Sequence, residues 1–269
     1  MSISKRLEEA RKAYAAGDRK AAARAHEVKR IQQADEHHGG VGSAYLGNLV
    51  YGGLDGIITT FAVVSGVVGA ELNASIILIL GLANLLGDGF SMATGAYLSS
   101  KSEKEFYERE RAREAWEVEN FPEGERAELL DLYLKQGYPP EDAAQMVAIK
   151  TRDPQRWVDA MMVEELGLLK ETRNPLWEAL TTFGAFCLAG VIPLLVYLAD
   201  WIFALGLPQN TAFFTALGLS ALALFGLGAA KVLVTERNFW RSGLEMLVVG
   251  GLAAGVAYGV GFLLKGLGV

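Results

Sequence analysis

Residues 74–99 read ASIILILGLANLLGDGFSMATGAYLS. Asp88 is the one charge in this run, and the run exceeds the about 20 apolar residues a helix needs to cross a bilayer. Four more stretches share the pattern, from about Tyr45 to Ala70, Leu176 to Phe203, Thr211 to Val234 and Gly243 to Leu264. The fold class expected is therefore all-α: a polytopic membrane protein of five transmembrane helices. A polar helical domain is inserted between spans 2 and 3.

Composition agrees. Of 269 residues, 51% are hydrophobic and only 21% charged, and 31 are glycine, an excess suited to tightly packed membrane helices. The single cysteine, Cys187, excludes a disulfide scaffold, and a net charge of −6 argues against a nucleic-acid partner. Positive charge is segregated. Residues 1–45, 100–174 and 231–241 carry 9, 12 and 3 Lys/Arg, the short connections 71–73 and 206–210 carry none, and Lys265 is the remaining one. This is the positive-inside pattern of five spans with a cytosolic N-terminus. The first 40 residues lack an apolar h-region, so no signal peptide is expected. The organisation expected is a cytosolic helical arm (1–44), spans 1 and 2 (45–99), a cytosolic Glu/Met-rich domain (100–174) and spans 3 to 5 (175–269).

In the arm, Ile3, Leu7, Ala10 and Tyr14 recur at helical spacing. Gly17-Asp18 breaks the run, and a second helix is expected from Lys20 to about Gln33. This reads as a hairpin with an apolar face. His37-His38 before span 1 is an adjacent pair on a linker, which is more often incidental than metal-binding. Gly251, Gly255 and Gly259 form a four-residue repeat in span 5, expected to serve helix packing.

Two carboxylates lie near the middle of spans 1 and 2. Each costs roughly 2.5–3.5 kcal/mol at mid-membrane on insertion scales. Asp55 and Asp88 both fall roughly 15 Å from the inner face at 1.5 Å per residue. Asn48, Tyr51, Asp55 and Thr59 share one face of span 1, and Asn84, Asp88, Ser91, Met92 and Gly95 follow spacings of three and four in span 2. Two polar stripes with carboxylates, an amide, hydroxyls and a thioether describe a cation path. The plainer alternative is a protonated Asp pair that only joins helices, though Gly and Ser would do so at lower cost.

Residues 100–174 hold 18 Asp/Glu and 12 Lys/Arg. No breaker falls between Tyr97 and Phe121, so span 2 is expected to continue as one long helix. Pro122, Pro139-Pro140 and Pro154 open three more, ending near Gln136, Lys150 and Lys170. Glu103, Glu110, Glu114 and Glu117 follow one face, and Glu125 and Glu128 are three apart. Met161, Met162 and Glu165 lie at adjacent and i+4 positions. Carboxylates so spaced can share a cation, although most acidic faces are simply solvated. Met161 could be core, but thioether beside carboxylate suits a transition metal better than Ca²⁺ or Mg²⁺.

Three segments are recognisable. DGIITTFAVVSG (55–66), GFSMATGAYLSSKSE (89–103) and WVDAMMVEELG (157–167) resemble motifs of the vacuolar iron transporter family, and the resemblance runs over roughly residues 40–269. It implies five spans, a homodimer, and a cytosolic Glu/Met domain that binds metal. It also implies export of Fe²⁺, often Mn²⁺, from the cytosol by proton antiport, with Zn²⁺ or Co²⁺ as further candidate ions and no prosthetic group. By match to the family motifs, Asp55 and Met92 fall on the translocation path, where Thr59, Asn84 and Asp88 join them as candidates. Glu114, Glu117, Glu125, Glu128, Met161, Met162 and Glu165 match the metal site. Glu103 and Glu110 are weaker candidates outside that match. No eukaryotic sorting signal is apparent, so a prokaryotic-type member in a cytoplasmic membrane is expected, or a vacuolar membrane if eukaryotic. A membrane-tethered metal sensor or store is the alternative. A carboxylate-bridged iron oxidase is disfavoured because His26, His37 and His38 make no Glu-x-x-His pair.

Overall fold

The structure is a computed structural model that describes residues 5–33, 45–235 and 238–265. His37, His38 and Ile3 lie outside the described residues. Among the described residues there is no strand. The helices are α1 (Lys5–Ala16), α2 (Arg19–Ala25), α3 (Val28–Gln33), α4 (Leu46–Gly69), α5 (Ala74–Asn120), α6 (Pro122–Lys135), α7 (Pro140–Lys150) and α8 (Pro154–Ala160). A π turn (Met161–Glu165) follows, then α9 (Pro175–Gly190), a 3₁₀ turn (Ile192–Leu194), α10 (Leu195–Phe203), α11 (Gln209–Thr235) and α12 (Phe239–Leu264). Five helical segments are long and apolar enough to cross a membrane: α4, the first part of α5, α9 through α10, α11 and α12.

The boundaries have local causes. Asp18 caps α2 by accepting from the Lys20 and Ala21 amides at 2.9 and 3.0 Å. Asp153 does the same for α8, and Asn238 accepts from the Arg241 amide at the start of α12. Pro122, Pro140 and Pro154 open their helices, where a missing N–H costs nothing.

Four expectations need correction. Span 3 is not one helix, because Pro193 cannot donate to the turn before it and the chain passes through the 3₁₀ turn at Ile192–Leu194. The last helix of the polar domain does not reach Lys170. It ends with the π turn at Glu165, and Gly167 follows at φ +66°, a left-handed stop. The second arm helix is split at His26, where α2 ends and before α3 begins, and Tyr14 is exposed rather than on the packed face, where Ala13 and Ala25 are buried. The Gly251, Gly255 and Gly259 repeat meets nothing within 4 Å. The seam that packs α12 within the chain uses Gly243, Gly250, Ala254 and Gly261 instead.

The chain divides into two units, residues 1–94 with 177–269, and residues 95–176, and α5 runs through the boundary. The first unit holds the apolar helices. α4 packs on α11 and α12, with Phe61, Val64, Ile77, Leu85, Phe186 and Leu194 at its core. Glycine makes the close approach possible. A Cβ at Gly56 would stand 2.3 Å from the Phe186 carbonyl oxygen, and one at Gly261 would stand 2.1 Å from that of Gly66. The second unit has its own core of Val118, Leu129, Tyr133, Ala143, Trp157, Met161 and Met162. Full burial of side chains such as Leu129 or Met161 contributes about 1.5–3 kcal/mol each.

Candidate metal centre and polar membrane stripe

The long helix α5 sets the first part of the centre. Glu110, Glu114 and Glu117 lie at i, i+4 and i+7, so they share a face. Glu114 is buried at 2% exposure and Glu117 is half-buried. Phe121 ends α5, and Pro122 starts α6, which brings Glu125 back against that face, itself only 5% exposed. One carboxylate oxygen from each of Glu114, Glu117 and Glu125 lies within 4.8 Å of the others, close enough to share one cation. Oε2 of Glu114 and of Glu125 are buried with no hydrogen-bond partner. A buried carboxylate oxygen left so is costly unless a cation or proton answers it.

Electrostatics extends the cluster to five carboxylates. Burial pushes Glu125 up to about 7, helped by repulsion from Glu114, Glu128, Glu117 and Glu165. Glu114 is raised by burial, against the opposing pull of Arg113, with Glu165, Glu117 and Glu128 adding to the rise. Glu165 is raised by burial and by Glu128. Glu114, Glu125 and Glu165 are thus each raised in part by the acids around them.

Met161 and Met162 are fully buried in the second unit's core beside this cluster's helices. They stand on the π turn, closed by the Leu166 amide donating to the Met161 carbonyl at 3.1 Å and the Leu168 amide to Met162 at 2.7 Å. π turns recur at functional sites because one added residue re-aims the side chains around it. Behind the turn, the Tyr133 hydroxyl donates to Glu164 at 2.7 Å, and Lys150 pairs with the same carboxylate.

The two weaker candidates are not among the three converging carboxylates. Glu103 accepts from Ser99 one turn earlier. Glu110 is held below the usual carboxylate range by hydrogen bonds from Arg109 and Arg113. Arg113 was not singled out from sequence. Its guanidinium donates to Glu114 at 2.6 Å and to Glu110 at 3.1 Å, and also to Glu117. An Arg one residue before Glu114 and four before Glu117 is the signal that finds it.

In the first unit, the Asn84 amide donates to Thr59 Oγ1 at 3.3 Å, and that hydroxyl donates to the Asp55 carbonyl at 2.8 Å. Three stripe residues from α4 and α5 are therefore linked. Asp55 is half-buried and Asp88 exposed. Met92 is half-buried and packs on the apolar core. Farther along, Asn48 donates to Thr182 Oγ1 at 3.1 Å, which donates to the Glu178 carbonyl at 2.8 Å. Glu178, a buried acid in the first turn of α9, also went unremarked in the sequence.

The VIT family model matches residues 46–262, from the first apolar helix to the last. The chain belongs to the VIT family. A vacuolar iron transporter of Toxoplasma gondii is 41% identical over 96% of this chain and 88% of its own length. One from Plasmodium falciparum is 36% identical over 98% of each chain, and vacuolar iron transporter 1 of Oryza sativa is 33% identical over 79% of this chain and 82% of its own. These VIT relatives are named as transporters, not as enzymes. They come from a range of eukaryotes, so the expectation of a prokaryotic-type member is not borne out.

Proposed function

We propose that this VIT family member moves Fe²⁺ across a membrane, out of the cytosol. The observation that carries the proposal is the Glu114, Glu117 and Glu125 cluster with its two orphaned buried oxygens, in a chain with five membrane-length helices. Relatives named for iron transport support the choice of ion. Mixed carboxylate and thioether donors suit Fe²⁺, and Mn²⁺, Zn²⁺ or Co²⁺ to differing degrees.

In this proposal the second unit is cytosolic and captures the ion. Glu114, Glu117 and Glu125 bind it, Glu128 and Glu165 add charge, and Met161 and Met162 offer sulfur. The ion then passes to Asp55 and Met92 in the membrane, with Thr59, Asn84 and Asp88 along the way. Protonation of Asp55 or Asp88 from the far side weakens the site and releases the ion, which makes the exchange an antiport. Asp88 is exposed on a single chain at a depth where an exposed carboxylate is costly. A second copy facing it forms a homodimer and encloses the path.

The test is uptake of Fe²⁺ into liposomes under an imposed acid-inside gradient. Uptake that collapses with the gradient and is lost in Asp55→Ala supports proton-coupled transport. Unchanged uptake by that variant overturns the path. Absence of flux, with stoichiometric Fe²⁺ binding lost in Glu114→Ala, makes the protein a tethered metal sensor or store.

A further inference from the structure

On the side of the second unit lined by Arg111, Ala115 and Val118 of α5, one residue round from the acidic face, lies a cavity of about 570 Å³. Its chemistry is opposite to that of the metal centre. Arg111, Arg126 and Arg152 line it together with Thr151, Gln155 and Trp157. An adjoining hollow of about 660 Å³ shares Arg126, Thr151 and Arg152 with it. Three arginines lining one hollow are unexpected in a chain of net charge −6. Glu119 is the acid on the wall of the first cavity.

The arginines are only weakly neutralised. Arg126 pairs with Glu123, whose side chain is 88% exposed, and such surface pairs contribute little. Arg111 pairs with Asp159, itself largely exposed. Arg152 makes no ion pair among the described residues, and its side chain is exposed. Arg126 also lies over the Trp157 ring at 5.0 Å. The Trp157 indole N–H is buried and has no acceptor, although Trp157 is only 3% exposed. The wall is thus rich in donors and poor in acceptors. Planar guanidiniums match the paired oxygens of carboxylate and phosphate.

We propose that this cavity binds a small oxoanion, a phosphate or polycarboxylate, at Arg111, Arg126 and Arg152. The site is separate from the metal centre and does not depend on transport.

The test uses the full chain purified in uncharged detergent, titrated calorimetrically with inorganic phosphate and with citrate, chloride serving as control. Saturable binding of either oxoanion, weakened at least about tenfold in Arg152→Gln with Fe²⁺ binding unchanged, supports the site. Arg126→Gln should weaken it too. The same thermal midpoint in both variants guards against misfolding. No saturable binding of either anion at millimolar concentration, or equal binding by both variants, overturns it. Bound phosphate displaced by anionic but not neutral lipid assigns the site to a lipid headgroup. Indifference to lipid assigns it to a free solute.

Discussion

At the scale of single residues, the metal centre is a balance of charge. Arg113 reaches Glu110, Glu114 and Glu117 at once, so it occupies the place a cation would take. An arriving ion has to displace it. Arg113→Gln is therefore expected to bind Fe²⁺ roughly fivefold more tightly, the effect of ~1 kcal/mol of lost competition. Competition against a chromophoric chelator measures this, and weaker binding would instead make Arg113 an organiser of the site. Glu125 carries a second consequence. Its folded pKa of about 7 lies above the ordinary 4.5. Between those values the fold holds a proton that the unfolded chain has released. The stability this contributes is complete below about 4.5 and is lost as pH rises through about 7. In chelator, the melting temperature of the second unit is expected to fall across that window, and Glu125→Gln is expected to flatten the fall while abolishing metal binding. A parallel fall in the variant would move the effect to other groups.

At the scale of elements, glycine placement decides which faces meet. Gly261 of α12 lies against the Gly66 carbonyl, and a Cβ there would stand 2.1 Å from it. Gly255, six residues earlier, meets nothing. Gly261→Ala is expected to destabilise by about 1–3 kcal/mol and Gly255→Ala to leave the midpoint unchanged, read by thermal unfolding in detergent. Equal loss in both would mean that the repeat at Gly251, Gly255 and Gly259 packs after all. The π turn makes a similar point. Removing the exposed Val163 converts it to ordinary helix and changes the direction of Glu165 relative to Met161 and Met162. Fe²⁺ affinity is expected to drop while helical content stays the same, as circular dichroism and metal titration would register together.

At the scale of the molecule, the exposed carboxylate of Asp88 calls for a partner. The face Asn84, Asp88, Ser91 and Gly95 runs along α5, and Ser91 is exposed on the single chain. In a Cys187→Ser background, Ser91→Cys is expected to form a disulfide-linked dimer under mild oxidation in membranes. Val248→Cys on α12, also exposed, is expected to stay monomeric on denaturing gels. The reverse result would place the interface on α12 and leave Asp88 to a different neighbour.

The sequence by itself determined the five spans, because twenty-residue apolar runs have one physical outcome in lipid. It also marked Glu103, Glu110, Glu114, Glu117, Glu125 and Glu128, since i, i+3 and i+4 spacing on a helix is local geometry, and only the family resemblance set the last four apart from the first two. The prolines that open α6, α7 and α8 were legible for the same reason. Only the tertiary structure decided the rest. Whether a glycine stripe packs depends on which neighbour it meets, so Gly243, Gly250 and Gly261, not the more regular repeat, form the seam. That Glu125 from the next helix closes on Glu114 depends on a helix-to-helix turn whose geometry spacing cannot show. Burial, which leaves carboxylate oxygens without partners, belongs to the packed fold, because desolvation is set by every neighbour at once.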